Sequence, residues 1–85
     1  MKRLKLGMVY KINDLHGFIG YGVYMGCQNG FECCICGKGH NAKTFNILHG
    51  DTVKEGLENK ANGDYETFGY GNEHLPELEE TGITE

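Results

Sequence analysis

From Leu4 to Ile12 the apolar residues Leu4, Leu6, Met8, Tyr10 and Ile12 alternate with Lys5, Gly7, Val9 and Lys11. A period of two is the signature of a half-buried strand, in which successive side chains point to opposite faces. A chain that begins this way needs further strands to pair with, and the sequence offers them at short intervals. Asn13-Asp14-Leu15-His16-Gly17 reads as a turn, with Asx side chains and a glycine suited to its backbone angles. The next run, Phe18 to Gly26, places Ile19, Tyr21, Val23 and Met25 on one face and Phe18, Gly20, Gly22, Tyr24 and Gly26 on the other. A strand face made of glycines is open to close approach by another backbone, a ring or a ligand, or it lets a small sheet curve.

Asn29-Gly30 between apolar runs predicts a tight hairpin. With these two as the loop, Cys27 stands opposite Glu32, Met25 opposite Cys34 and Val23 opposite Cys36. Cys27, Cys34 and Cys36 then share one face, and Cys33 points the other way. Lys43 to Leu48 predicts a further strand with Phe45 and Ile47 inward, and Tyr65 to Gly71 a last one. Thr52-Val53-Lys54-Glu55 has the form of a capping box, and Gly56 limits the helix it starts to a turn or two. Pro76 to Glu80 predicts a single helical turn stopped by Gly82. Together these make a mainly β domain over residues 1–80, an antiparallel meander or a small SH3-like or OB-like barrel of about five strands with one or two short helical turns. Residues 81–85 are expected to fray.

Eighty-five residues form one domain with a thin core. Small domains often gain stability from disulfides, a metal or a partner. No stretch approaches the roughly 18 to 20 apolar residues of a membrane-spanning helix, so a cytoplasmic protein with no membrane partner is expected. In a reducing compartment four cysteines act as thiols or metal ligands rather than as a disulfide framework. Charge is uneven: residues 1–50 carry +4 and residues 51–85 carry −8, for an overall −4. That asymmetry steers a basic partner to the C-terminal half or pairs the two halves with each other.

All four cysteines fall between Cys27 and Cys36, and His40 follows a Gly37-Lys38-Gly39 turn. Zinc takes four thiolate or imidazole ligands at tetrahedral corners. Cys33-x-x-Cys36-Gly37-Lys38-Gly39-His40 resembles the CCHC zinc knuckle over residues 33–43. It departs from that pattern in a loop one residue short and in Thr44-Phe45 where the last cysteine belongs. The resemblance implies metal ligation by Cys33, Cys36 and His40, with contact to single-stranded nucleic acid; a fourth ligand would come from Cys27 or His49. The hairpin register instead gathers Cys27, Cys34, Cys36 and His40. The plain alternative is that the cysteines are small buried hydrophobes.

Other patterns carry less. Gly37 to Thr44 falls one glycine short of a phosphate loop, and the chain is too short for the parallel sheet that loop serves. A Cys36/His40 nucleophile pair has no orienting carboxylate nearby in sequence. His16 and His74 fall in predicted turns. Without a catalytic set, the chain reads as a non-enzymatic binding module that docks on a larger protein as an inhibitor, adaptor or regulator, stabilised by zinc at the cysteines. In size and acidity it resembles small accessory proteins encoded by bacteriophages. A second reading is sequestration of a nucleotide-like ligand by Tyr21 and Tyr70 within Gly20-Tyr21-Gly22 and Gly69-Tyr70-Gly71. A third, nucleic-acid binding through the basic N-terminal half, is the least supported.

Overall fold

Strand-forming sequence and short turns produce one antiparallel sheet. The computed structural model describes residues 3–35, 37 and 41–85. Its strands are β1 (Met8–Asn13), β2 (Ile19–Asn29), β3 (Asn41–Leu48), β4 (Tyr65–Tyr70) and β5 (Glu77–Thr84), and one helix, α1 (Val53–Ala61), joins β3 to β4. The order across the sheet is β4-β3-β2-β1-β5. The first four strands form a meander, and β5 returns to the far side of β1. The expected mainly β, five-stranded antiparallel architecture is therefore correct.

The inward face carries Met8, Tyr10, Ile12, Tyr24, Phe45, Ile47 and Tyr70, all buried in one cluster. Each fully buried side chain of the Ile or Phe type contributes about 1.5–3 kcal/mol. Phe45 is the centre of this cluster: the rings of Tyr10, Tyr24 and Tyr70 lie 6.2, 5.2 and 6.0 Å from it. Gly22 sits over the same spot, paired with Tyr10 and Ile47. A Cβ there would stand 2.9 Å from Ile12 Cδ1 and 3.2 Å from both Ile47 Cδ1 and Phe45 Cβ. The glycine face of β2 is thus filled by neighbouring core side chains.

The sheet is strongly curled. Tyr70 pairs with Lys43 at one end of the sheet, whereas Asn13 and Glu77 pair at the other. In a flat sheet Tyr70 and Glu77 would be about 19 Å apart across the strands and about 24 Å along them, a diagonal of about 30 Å. The six-residue link between them, with a 3-10 turn at Asn72–His74, reaches only about 20 Å. Curling removes the difference. It brings Phe18 to 5.4 Å from Phe68 and lays Leu75 and Leu78 over the core.

Helix α1 packs on the opposite face, where Val9 and Val23 are also fully buried. Thr52 caps it, its hydroxyl accepting from the Glu55 N–H at 3.1 Å. The Glu55 carboxylate reaches the Asp51 N–H at 3.4 Å rather than closing a full capping box. The helix runs nine residues, longer than expected, because Gly56 faces the sheet: a Cβ there would lie 2.7 Å from Leu48 Cβ. The residue that weakens the isolated helix allows its close docking.

Three expectations are corrected. The Asn29-Gly30 hairpin does not form. Cys27 pairs with Lys43 and Gln28 with Ala42, so the partner of β2 is Asn41–Leu48 rather than residues 31–36. Gly30 turns the chain at φ +92°, and residues 31–35 cross to β4, where the Cys34 N–H donates to Gly69 O at 2.7 Å. Gly69 has no side chain to obstruct this crossing, since a Cβ would meet Glu32 O at 2.7 Å. The second correction concerns Pro76 to Glu80, which is strand rather than helix, because the open edge of β1 supplies ladder bonds that one isolated helical turn cannot match. The third follows from it: residues 81–84 belong to β5 instead of fraying. Thr81 Oγ1 donates to Val9 O at 2.8 Å, and the Glu85 N–H to Gly7 O at 2.8 Å.

Candidate binding cleft and the cysteine loop

Curling leaves an opening on the inward face, between the N-terminal segment and the start of β5. Leu6 lies against β2, its Cδ2 atom 3.1 Å from where a Gly26 Cβ would stand. The Gly7 N–H donates to Tyr24 O at 2.9 Å, and the Lys5 N–H donates to the Tyr10 hydroxyl at 2.9 Å. Leu75 and Pro76 face this segment from the other side. The result is a cleft of about 1000 Å³ lined by Leu4, Leu6, Tyr10, Tyr24, Leu75 and Pro76, with Arg3, Lys43, Glu79 and Glu80 among its charged groups. Leu6 remains 73% exposed.

The electrostatics of the cleft are mixed. Burial, followed by the contact with Cys27 Sγ at 4.0 Å, pushes the Tyr24 phenol up to about 12, so it stays a neutral hydrogen-bonding group. Lys5 Nζ lies 3.6 Å from Glu80 Oε1, beyond ordinary hydrogen-bond length. That oxygen is buried and has no hydrogen-bond partner among the described residues. Lys11 stands opposite Glu79 across the β1–β5 ladder. The basic and acidic halves of the sequence therefore meet along one strand pair.

The cysteine loop lies beyond the far end of β2. Cys33 is buried at 1% exposure, while Cys27 and Cys34 are exposed and none of the three is in a disulfide. The Gly37 N–H closes a turn onto Cys33 O at 2.8 Å. Cys36 and His40 lie outside the described residues, and with them two of the three ligands that the knuckle resemblance implies. Among the described residues no three His, Cys, Asp or Glu groups come together as a metal site. The register that placed Cys27 and Cys34 on one face is not formed. His49 stands past the other end of β3, roughly 20 Å or more from Asn41, held by Asp64 Oδ1 at 2.8 Å from its Nδ1 and by Glu66 at 3.9 Å from its Nε2. It does not join the described cysteines.

A smaller cavity of about 490 Å³ lies beside the loop, lined by residues including Asp14, His16, Phe18, Cys34 and Phe68. Burial acts to raise the Asp14 pKa. Hydrogen bonds from the His16 and Phe18 N–H groups, at 2.8 and 3.0 Å, and from the Tyr70 hydroxyl outweigh it and hold the carboxyl below its ordinary value. Burial, then the neighbouring Cys33, pushes the Cys34 thiol up, which makes it a poor nucleophile at neutral pH.

The proposed ligand tyrosines are separated. Tyr70 is fully buried against Phe45. Tyr21 pairs with Lys11 on the outward face, one residue out of phase with Gly22. Gly20 and Gly22 are filled from inside the core by Phe18, Ile12 and Ile47, Gly69 is approached by Glu32 O, and Gly71 begins the link to β5. Sequence reasoning missed the cleft because Leu75 and Pro76 reach it only through the curl. The available signal was Tyr10 and Tyr24, two hydroxyl-bearing rings at inward positions of neighbouring strands. Comparison of the chain with protein-family models, with curated proteins and with solved structures finds no match.

Proposed function

We propose that this protein is a non-enzymatic binding module that docks on a larger protein as an inhibitor, adaptor or regulator, and that the cleft beside Leu6 is its contact surface. The observation that supports this is an apolar opening of about 1000 Å³ on a small domain, floored by Tyr10 and Tyr24 and flanked by charged groups. Tyrosine, leucine and a charged margin are the composition of protein contact sites, where ring surface gives affinity and the margin gives specificity. A photo-reactive phenylalanine analogue at Leu6 should cross-link one discrete partner from bacterial lysate, and the same probe at Ile19, in the β1–β2 region, should not. Equal cross-linking from both positions, or none from either, overturns the reading.

The nucleotide-like ligand reading transfers from Tyr21 and Tyr70 to this cleft, where Arg3 and Lys43 accompany the tyrosines. A thermal shift against a nucleotide panel decides it, since a specific ligand at a hundred times its Kd adds about 2.7 kcal/mol. Nucleic-acid binding through the basic half has less support, with Lys5 beside Glu80 and Lys11 opposite Glu79. The zinc proposal now rests on Cys33, Cys36 and His40. A zinc-to-protein ratio near one in protein purified without chelator supports it, and a ratio near zero removes it.

A further inference from the structure

We propose that the cleft receives an extended segment of the partner protein, apolar and basic by turns, which adds a sixth strand along the outer edge of β5. The proposal rests on the docking reading above and gives the partner its chemistry. Among the described residues the sheet ends at β5, which pairs there with β1 alone. Its other row of backbone N–H and C=O groups is therefore a template for a further strand.

The side chains of this edge select for positive charge. Residues 77–85 contain no Lys or Arg and include Glu77, Glu79, Glu80 and Glu85. Glu77 and Glu79 are exposed and make no ion pair among the described residues. Glu80, on the inward side, already has the Lys5 ammonium at 3.6 Å. Leu78 and Glu80 pair with Ile12 and Tyr10, which puts them on the inward face with the cleft. An added strand alternates in the same way. Its inward side chains extend the apolar lining beside Leu78, and its outward ones set lysine or arginine against Glu77 and Glu79. A second copy of β5 is the wrong occupant, because it would oppose carboxylate to carboxylate.

The probe is a labelled Lys-Leu-Lys-Val-Lys-Leu-Lys peptide, titrated into the full chain and followed by fluorescence anisotropy and by backbone amide shifts. The expected result is saturable binding with shifts concentrated at residues 77–81 and at Tyr10 and Tyr24. N-methylation of alternate peptide amides, which removes the ladder and keeps the charge, should abolish binding. The Glu77→Lys/Glu79→Lys double variant should weaken it by about tenfold or more, with its fold confirmed by circular dichroism. Binding that survives N-methylation, that ignores the double variant, that shifts residues away from β5, or that is absent altogether overturns the proposal. If the Leu6 probe still cross-links a partner in that event, only the strand-addition mode falls; if it does not, the docking reading falls as well.

Discussion

The Tyr70 hydroxyl donates to Asp14 Oδ2 at 3.4 Å, joining the end of β4 to the turn after β1. In an uncurled sheet these residues would lie at opposite ends of strands three positions apart, so this bond is a direct readout of closure. Removing the hydroxyl in Tyr70→Phe should cost about 0.5–1.5 kcal/mol, and Asp14→Ala, which also leaves the His16 and Phe18 N–H groups without their acceptor, about 1–3 kcal/mol in urea unfolding.

Asp14 also sets an acid dependence. Its folded pKa lies below the ordinary 3.8, so its contribution is present above that value and is lost as pH falls through the lower folded one. The melting temperature of the wild type should therefore drop more steeply than that of Asp14→Asn on acidification through this range.

His49 behaves with the opposite sign. The hydrogen bond to Asp64 raises its pKa above 6.5, so its contribution is complete below 6.5 and is lost as pH rises through the folded value. As pH rises above 6.5 the wild type should lose stability relative to His49→Gln, and Asp64→Asn should remove most of that difference.

Gly56→Ala should destabilise the protein, although alanine favours helix by about 1 kcal/mol. The new methyl meets Leu48 Cβ at 2.7 Å, an overpacking that costs about 1–3 kcal/mol. The double variant Gly56→Ala/Leu48→Gly, which removes the Leu48 Cβ, should recover part of that loss in thermal melts. A sum of the two single losses would show that the contact is not the cause.

The thiols should separate by reactivity. Native alkylation near pH 8 followed by peptide mapping should label Cys27, spare Cys33, and modify Cys34 more slowly than its exposure suggests, because its pKa is raised.

What could be read from the residues was local. The alternation in Met8 to Ile12, the glycine face of β2, Phe45 and Ile47 inward, and the Thr52 cap all appear where the pattern places them. Non-local choices were not legible. Residues 31–35 and 77–84 both have strand-forming composition, and the outcome turns on which finds an open edge: the first meets β2 already paired to β3, the second meets a vacant β1. The cleft depends on the same closure, since Leu75 and Pro76 come to face Leu6 only after β5 has docked.

The pairing of β5 with β1 has a temporal consequence. These strands are separated by most of the chain, and Lys60 of α1 grips Glu85 at 2.6 Å just beyond the second of them. During synthesis β1 must wait, bonded to β2 on one side and bare on the other, until residue 84 has emerged. In that interval the nascent sheet carries a sticky margin, and protection from self-association arrives with the glutamates of β5.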